Sequence, residues 1–234
     1  MRRILVAAVL LGATVGHVFN LPADQARARS ESPSLSRPPE YCEIPTAAIK
    51  VPLPDVQQPD DYSCGVASFM AILAYYGMPP DDLGVLKKKL STTKKNGTDY
   101  RHIVKYAKDH GLEAEARPNL SLAELLGLLG AHKPVICSIQ AYDEDHPAAE
   151  RPKIYKDKDE NGHYVVAIGY DEQNVFFMDP SLTGRRGYLP KTEFVDRWHD
   201  EEGTTDKPNP IRQLGLVIWK EGAPPKTQYA RRID

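Results

Sequence analysis

The stretch Ser63-Cys64-Gly65-Val66-Ala67-Ser68-Phe69-Met70-Ala71-Ile72-Leu73-Ala74-Tyr75-Tyr76 is apolar nearly all the way round a helical wheel. A helix without a polar face has no side to show to water. It must lie at the centre of a fold large enough to cover it. Gly77 and Pro79 supply the stop. A chain of 234 residues provides that cover in one ordinary domain, with a leader and tails to spare. With 41% hydrophobic and 26% charged residues, the chain reads as globular rather than disordered. A net charge of -2 gives no sign of a nucleic-acid binder or an electrostatic membrane binder.

Around this helix the pattern changes character halfway along. Asp81 to Leu90 and Asp99 to His110 read as further helices, the second ended by Gly111. Ser121-Leu122-Ala123-Glu124 reads as a capping box opening a helix that runs to about Leu129. Beyond it the period becomes that of strands. Pro134 to Gln140 is one, and Tyr164 to Tyr170 is a second, rich in β-branched residues. Asp171 to Asn174 is a turn, and Val175 to Asp179 returns as a strand stopped by Pro180. Leu214 to Lys220 closes the sheet. Helices first and antiparallel strands afterwards predict an α+β domain.

The chain opens with the basic Met1-Arg2-Arg3, an apolar run from Ile4 to Phe19, and the small-x-small site Ala26-Arg27-Ala28. That is the order of a secretory signal peptide. The run is short for a membrane span, which needs ~20 apolar residues. Residues 1–28 are therefore expected to be a cleaved signal, 29–50 a linker, 51–222 the folded domain and 223–234 a tail. An uncleaved anchor is the alternative. The expected location is secreted or periplasmic, with no stable span after cleavage. Cys42, Cys64 and Cys137 make an odd count for an exported chain. Either Cys42 and Cys137 pair, or Cys137 is a buried small hydrophobe within its apolar strand.

Cys64 sits where a loop becomes the buried helix. A thiol there feels the positive end of the helix dipole, which is expected to lower its pKa and favour the nucleophilic thiolate. Gln58 precedes it by a short loop. Its amide and the Cys64 backbone N–H form a candidate oxyanion site. His163 starts the strongest strand, at a position able to face a helix N-terminus packed across the sheet. Five other histidines outside the leader (His102, His110, His132, His146 and His199) show how little a lone histidine means. Asp179 ends the returning strand. If the hairpin turns about Asp171, an odd-length loop sets Asp179 opposite His163 on one face, where its carboxylate can orient the ring. A slip of one residue would separate them.

The chain order Gln58, Cys64, His163, Asp179, with helices before sheet, is that of the papain-like hydrolases. Gln58-x5-Cys64-Gly65, the helix ending Tyr75-Tyr76-Gly77, Gly162-His163-Tyr164-Val165-Val166 and Met178-Asp179-Pro180 resemble the bacteriocin-processing cysteine peptidases, which cut leader peptides after a Gly-Gly pair. Phe194 and Trp198 resemble that family's ending. The likeness covers about residues 51 to 200 and is closer to free-standing secreted relatives than to exporter-fused ones. Ser63 stands where the family often has an acidic residue. The resemblance implies a papain-like fold and a cysteine peptidase acting on a peptide or protein substrate without a cofactor. It casts Cys64 as nucleophile, His163 as general base and acid, Asp179 as orienting residue and Gln58 as oxyanion donor. An acyl-transferring, transglutaminase-like enzyme and a non-catalytic peptide-binding module are the alternatives.

Two other patterns carry less. Asp157-Lys158-Asp159-Glu160-Asn161-Gly162 matches the first half of an EF-hand loop, but Ile168 stands where a bidentate Glu is needed. No Cys/His pair has zinc-ligand spacing. Asp143, Glu144 and Asp145 with Asp157 to Glu160 form an acidic insert. It reads as a solvated loop, or as a cleft wall favouring basic peptides.

Overall fold

A computed structural model describes residues 42–78, 81–204 and 207–222. The expected signal peptide, the linker up to residue 41 and the tail lie outside the described residues, as does Pro79.

Helix α1 (Cys64–Tyr75) is buried along almost its whole length, as a helix without a polar face must be. Gly77, at φ +68°, ends it. Helices α2 (Leu83–Lys89) and α3 (Tyr100–Asp109) follow, with Asp82 and Asp99 accepting from backbone N–H groups at their starts. Strand β1 (Glu113–Arg117) comes next. Helix α4 (Leu122–Gly130) opens with the expected box: the Ser121 hydroxyl accepts from Glu124 N, and the Glu124 carboxylate accepts from Ser121 N. Strand β2 (Val135–Gln140), helix α5 (Arg151–Asp157), strands β3 (Gly162–Tyr170), β4 (Asn174–Met178) and β5 (Arg186–Pro190), helix α6 (Lys191–Arg197), the hairpin β6 (His199–Thr204) and β7 (Lys207–Arg212), and β8 (Gly215–Trp219) complete the order.

Six strands make an antiparallel sheet in the order β1-β8-β2-β3-β4-β5, and β6 and β7 pair separately. Helix α1 lies against β3, and α3 lies against β1. Between them sits one apolar core, with Phe69, Ile72, Ile103, Ile136, Val166, Phe176, Leu216 and Trp198 almost fully buried. This is the α+β architecture expected, with the strands adding β1, β5, β6 and β7 to those read from the sequence.

The segment leading into the domain is not a loose arm at its end. A 3-10 turn (Thr46–Ala48) sets Ala48 and Val51 into the core. Lys50 N and Val51 N both donate to the Ile168 carbonyl, at 2.9 and 2.8 Å. The folded region therefore begins before residue 51. All three cysteines are free thiols. Cys137 is fully buried, which pushes its thiol pKa up, so the buried-hydrophobe reading holds and the pairing with Cys42 does not.

Candidate active site

Cys64 is the first residue of α1, and Ser63, its N-cap, makes no side-chain cap bond. The first turn's N–H groups have no partner within the helix, so the thiol stands in their field. Gly65 lets the neighbouring chain close in. A Cβ there would lie 2.9 Å from Thr98 Cβ and 3.1 Å from Tyr164 Cδ2. Ser68 Oγ donates to the Tyr164 carbonyl at 3.2 Å, which ties the helix to β3 one residue beyond His163.

His163 is 7% exposed. Its Nε2 donates to Asp179 Oδ1 at 2.8 Å, and the Cys64 sulfur is its other side-chain partner. Burial alone would disfavour the imidazolium. Hydrogen bonds and charge from Asp179 and Cys64 outweigh it and raise the pKa to about 10. Burial likewise works against the Asp179 carboxylate, but donors from His163, Tyr142 and Ser181 N (2.9 Å) hold its pKa below the usual range. The structure thus brings Cys64, His163 and Asp179 into one buried cluster.

The register that does so differs from the expected one. A simple turn about Asp171 would pair Asp179 with His163. Instead Tyr170 faces Val175 and Gly169 faces Phe176, after which a bulge at Ile168 shifts the register so that Ala167 faces Phe177 and Val166 faces Met178. Continuing that pairing sets Asp179 beside Val165, two positions from His163 and on the same face. Without the bulge, Asp179 would fall opposite Val166 and point away from the histidine. The bulged Ile168 carbonyl is the one that Lys50 and Val51 bind, and Gly169 is the residue the arm crosses. The N-terminal arm therefore holds the irregularity that aligns the His–Asp pair.

The same arm carries Gln58. Its backbone N donates to the Pro180 carbonyl at 3.0 Å, which places it next to Asp179. Gln58 Nε2 donates one proton to the Asp60 carbonyl at 2.7 Å, while Oε1 is buried without a hydrogen-bond partner. Lys87 on α2 anchors this loop: its Nζ lies 2.6 Å from Asp60 Oδ2 and 3.9 Å from the Tyr62 ring centroid. Arg186 on β5 pairs with Asp55 further up the arm.

Tyr142 was not singled out from the sequence, and no motif there marks it. Its hydroxyl donates to Asp179 Oδ2 at 2.6 Å, and its ring stands edge-on to His163 with centroids 5.1 Å apart. Two carboxylates of the acidic insert that begins beside it have partners in the structure. Asp143 is 1% exposed and accepts from Asp145 N, His146 N and His146 Nδ1. Asp159 pairs with His199 and Arg212. Asp157 closes α5 and Ile168 lies within β3, so the EF-hand-like stretch runs out of a helix and into a strand. Among the described residues no cluster of three metal-ligating side chains occurs, and no helix is long and apolar enough to cross a membrane.

Comparison with known proteins agrees with this fold. A family model described as the Peptidase_C39 like family matches residues 49–205. The pediocin PA-1 transport/processing ATP-binding protein PedD of Pediococcus acidilactici is 26% identical over 141 residues, which are 60% of this chain but only 17% of that protein. The peptidase domain of Streptococcus ComA, a bi-functional ABC transporter, superposes with a TM-score of 0.51 at 19% identity, over 71% of this chain and 97% of that one. A C39-like peptidase structure from Bacillus anthracis does so with a TM-score of 0.50 at 18% identity, over 75% and 98%. Both structures share the α+β fold. The family match extends over most of the described fold and takes in Gln58, Cys64, His163 and Asp179: the chain belongs to the Peptidase_C39 like family and is a cysteine-type peptidase.

Proposed function

We propose that the protein hydrolyses peptide bonds through a thioester, with Cys64 as nucleophile, His163 as general base and acid, Asp179 as the residue orienting His163, and Gln58 with the Cys64 N–H as oxyanion donors. The observation that carries this reading is the buried imidazole held between the Asp179 carboxylate at 2.8 Å and the Cys64 sulfur. With Nε2 committed to Asp179, the other ring nitrogen is left to exchange a proton with the thiol. The Cys64 thiolate attacks the scissile carbonyl carbon. The carbonyl electrons move onto oxygen, where the second Gln58 Nε2 proton and the Cys64 N–H receive the charge. His163 gives its proton to the leaving amine as the C–N bond breaks. It then takes a proton from the water that cleaves the thioester and frees the sulfur.

The substrate is a peptide or protein. PedD is a transport and processing protein, and by likeness to it this chain would act in peptide processing. The signal-like order of residues 1–28 supports a reading in which that work takes place outside the cytoplasm, secreted or periplasmic.

The test is labelling of the protein with a cysteine-directed electrophile at about pH 6, well below the ordinary thiol pKa of ~8.5, in wild type, Cys64→Ala and His163→Ala. It is run beside digestion of a mixed peptide library read by mass spectrometry. Rapid labelling at Cys64 that collapses in His163→Ala, with cleavage products absent in Cys64→Ala, is expected. Slow labelling indifferent to His163 would sink the assignment.

A further inference from the structure

We propose that Tyr142 is a positioning residue of this site. Its hydroxyl fixes the Asp179 carboxylate with one oxygen towards His163, and its ring edge closes the His163–Asp179 hydrogen bond to water. The inference rests on the peptidase reading and adds a residue to it.

Four observations converge on this side chain. Asp179 Oδ1 is taken by His163 and Ser181 N, and Oδ2 accepts from the Tyr142 hydroxyl at 2.6 Å. The ring stands at 87° to the imidazole, edge-on and 5.1 Å away. Tyr142 is one of two large hydrophobic side chains exposed among the described residues, at 48%, yet its polar end is turned inward. Its backbone holds φ +58°, a left-handed conformation that bulky residues avoid. Both sides of it are pinned: Ala141 N donates to the Asn161 carbonyl at 3.0 Å, and Asp143 N to the Tyr155 hydroxyl at 2.9 Å. Such a conformation persists only where its surroundings over-determine it. Here the result is one phenol placed over the pair.

A buried ion-paired hydrogen bond weakens when water reaches it, because the local dielectric rises. The titratable groups that face His163 are Cys64 from α1, Asp179 from the end of β4 and Tyr142 itself. Tyr155 on α5 and Arg197 on α6 lie within electrostatic reach of the phenol. Burial and Asp179 push the phenol pKa up, so it remains a donor across the working range.

The readout is the pH profile of Cys64 alkylation by iodoacetate, whose negative charge makes its rate depend on the neighbouring imidazolium. Wild type, Tyr142→Ala, Tyr142→Phe and His163→Ala are compared, with thermal unfolding of each. Tyr142→Ala is expected to move the alkaline limb down by about one pH unit or more, a tenfold loss of proton affinity at His163. Tyr142→Phe keeps the ring and is expected to keep that limb. Its plateau rate falls about two- to tenfold, the span of one hydrogen bond. A Tyr142→Ala profile that superimposes on wild type at unchanged melting temperature overturns the inference. If Tyr142→Ala does not fold, a Tyr142→Phe profile identical to wild type does the same. A wild-type profile with no alkaline limb, or one that His163→Ala leaves unchanged, overturns the peptidase reading as well.

Discussion

Replacing Gly169 with alanine introduces a Cβ 2.1 Å from the Ala48 carbonyl oxygen, 2.8 Å from Ile49 Cα and 2.9 Å from the Ala48 carbonyl carbon. All three are backbone atoms, so no side chain can swing aside and the arm itself must retreat. The bonds from Lys50 N and Val51 N to the Ile168 carbonyl then stretch or break. Each is worth ~1 kcal/mol. Val51 and Ala48, 0% and 4% exposed, come partly out of the core and add about another 1 kcal/mol. The reduced freedom of the unfolded chain returns only ~0.5 kcal/mol. The net loss is about 2–3 kcal/mol. For a domain of this size it lowers the melting temperature by about 4–12 °C, at ~2–4 °C per kcal/mol. Differential scanning calorimetry measures it directly. Gly127→Ala on α4, where a Cβ meets nothing within 4 Å, is the control expected to be neutral or slightly stabilising. Because the arm holds the bulge, Cys64 labelling in Gly169→Ala should also slow. If Gly169→Ala melts and labels like Gly127→Ala, the arm does not hold the register, and the account of how Asp179 reaches His163 is wrong.

Stability should carry the signature of the His–Asp pair. The folded-state pKa of His163 is raised from 6.5 to about 10, so its contribution is complete below pH 6.5 and is lost as the pH rises towards 10. The Asp179 pKa is lowered, so its contribution is present above the unfolded carboxylate pKa of ~3.9 and is lost on acidification below it. The melting-temperature gap between wild type and His163→Ala should therefore narrow from neutral to alkaline pH, and a gap that widens there contradicts the assignment. The thiols give a separate check. Without reductant the denatured protein should titrate three thiols, whereas in the native state Cys137 should stay unlabelled until unfolding. A single thiol in the denatured count would revive the bridge between Cys42 and Cys137.

What could be read in the sequence was whatever the local pattern determines. The helix opened by Cys64 has no polar face, and a buried central position follows from that alone. The α4 cap is a four-residue motif whose bonds are local. The His163 and Asp179 strands announce themselves by β-branched runs. The shared face of His163 and Asp179 was inferred correctly, but through a register that does not exist. The bulge depends on Lys50 and Val51, which lie more than a hundred positions upstream, and no pattern around Ile168 and Gly169 records that contact. Strand β1, Glu113-Ala114-Glu115-Ala116-Arg117, lacks the β-branched residues that mark a strand and forms because β8 offers it an edge. Tyr142 is invisible for a similar reason. It sits in an irregular stretch after β2, and only the pins on either side give its ring a direction.

The order of strands sets a condition on when this chemistry can begin. Strand β8 is the last among the described residues, yet it lies inside the sheet, between β1 and β2. Its partners precede it by roughly eighty residues in β2 and a hundred in β1, and Ser68 and Tyr164, whose bond joins helix to sheet beside the nucleophile, are themselves 96 positions apart. Such contacts form late, because loop closure must come before they repay it. While it is being synthesised, the chain would carry a Cys64 whose histidine has no assembled frame to hold it. The sheet that carries His163 is therefore complete only once β8 has entered between β1 and β2.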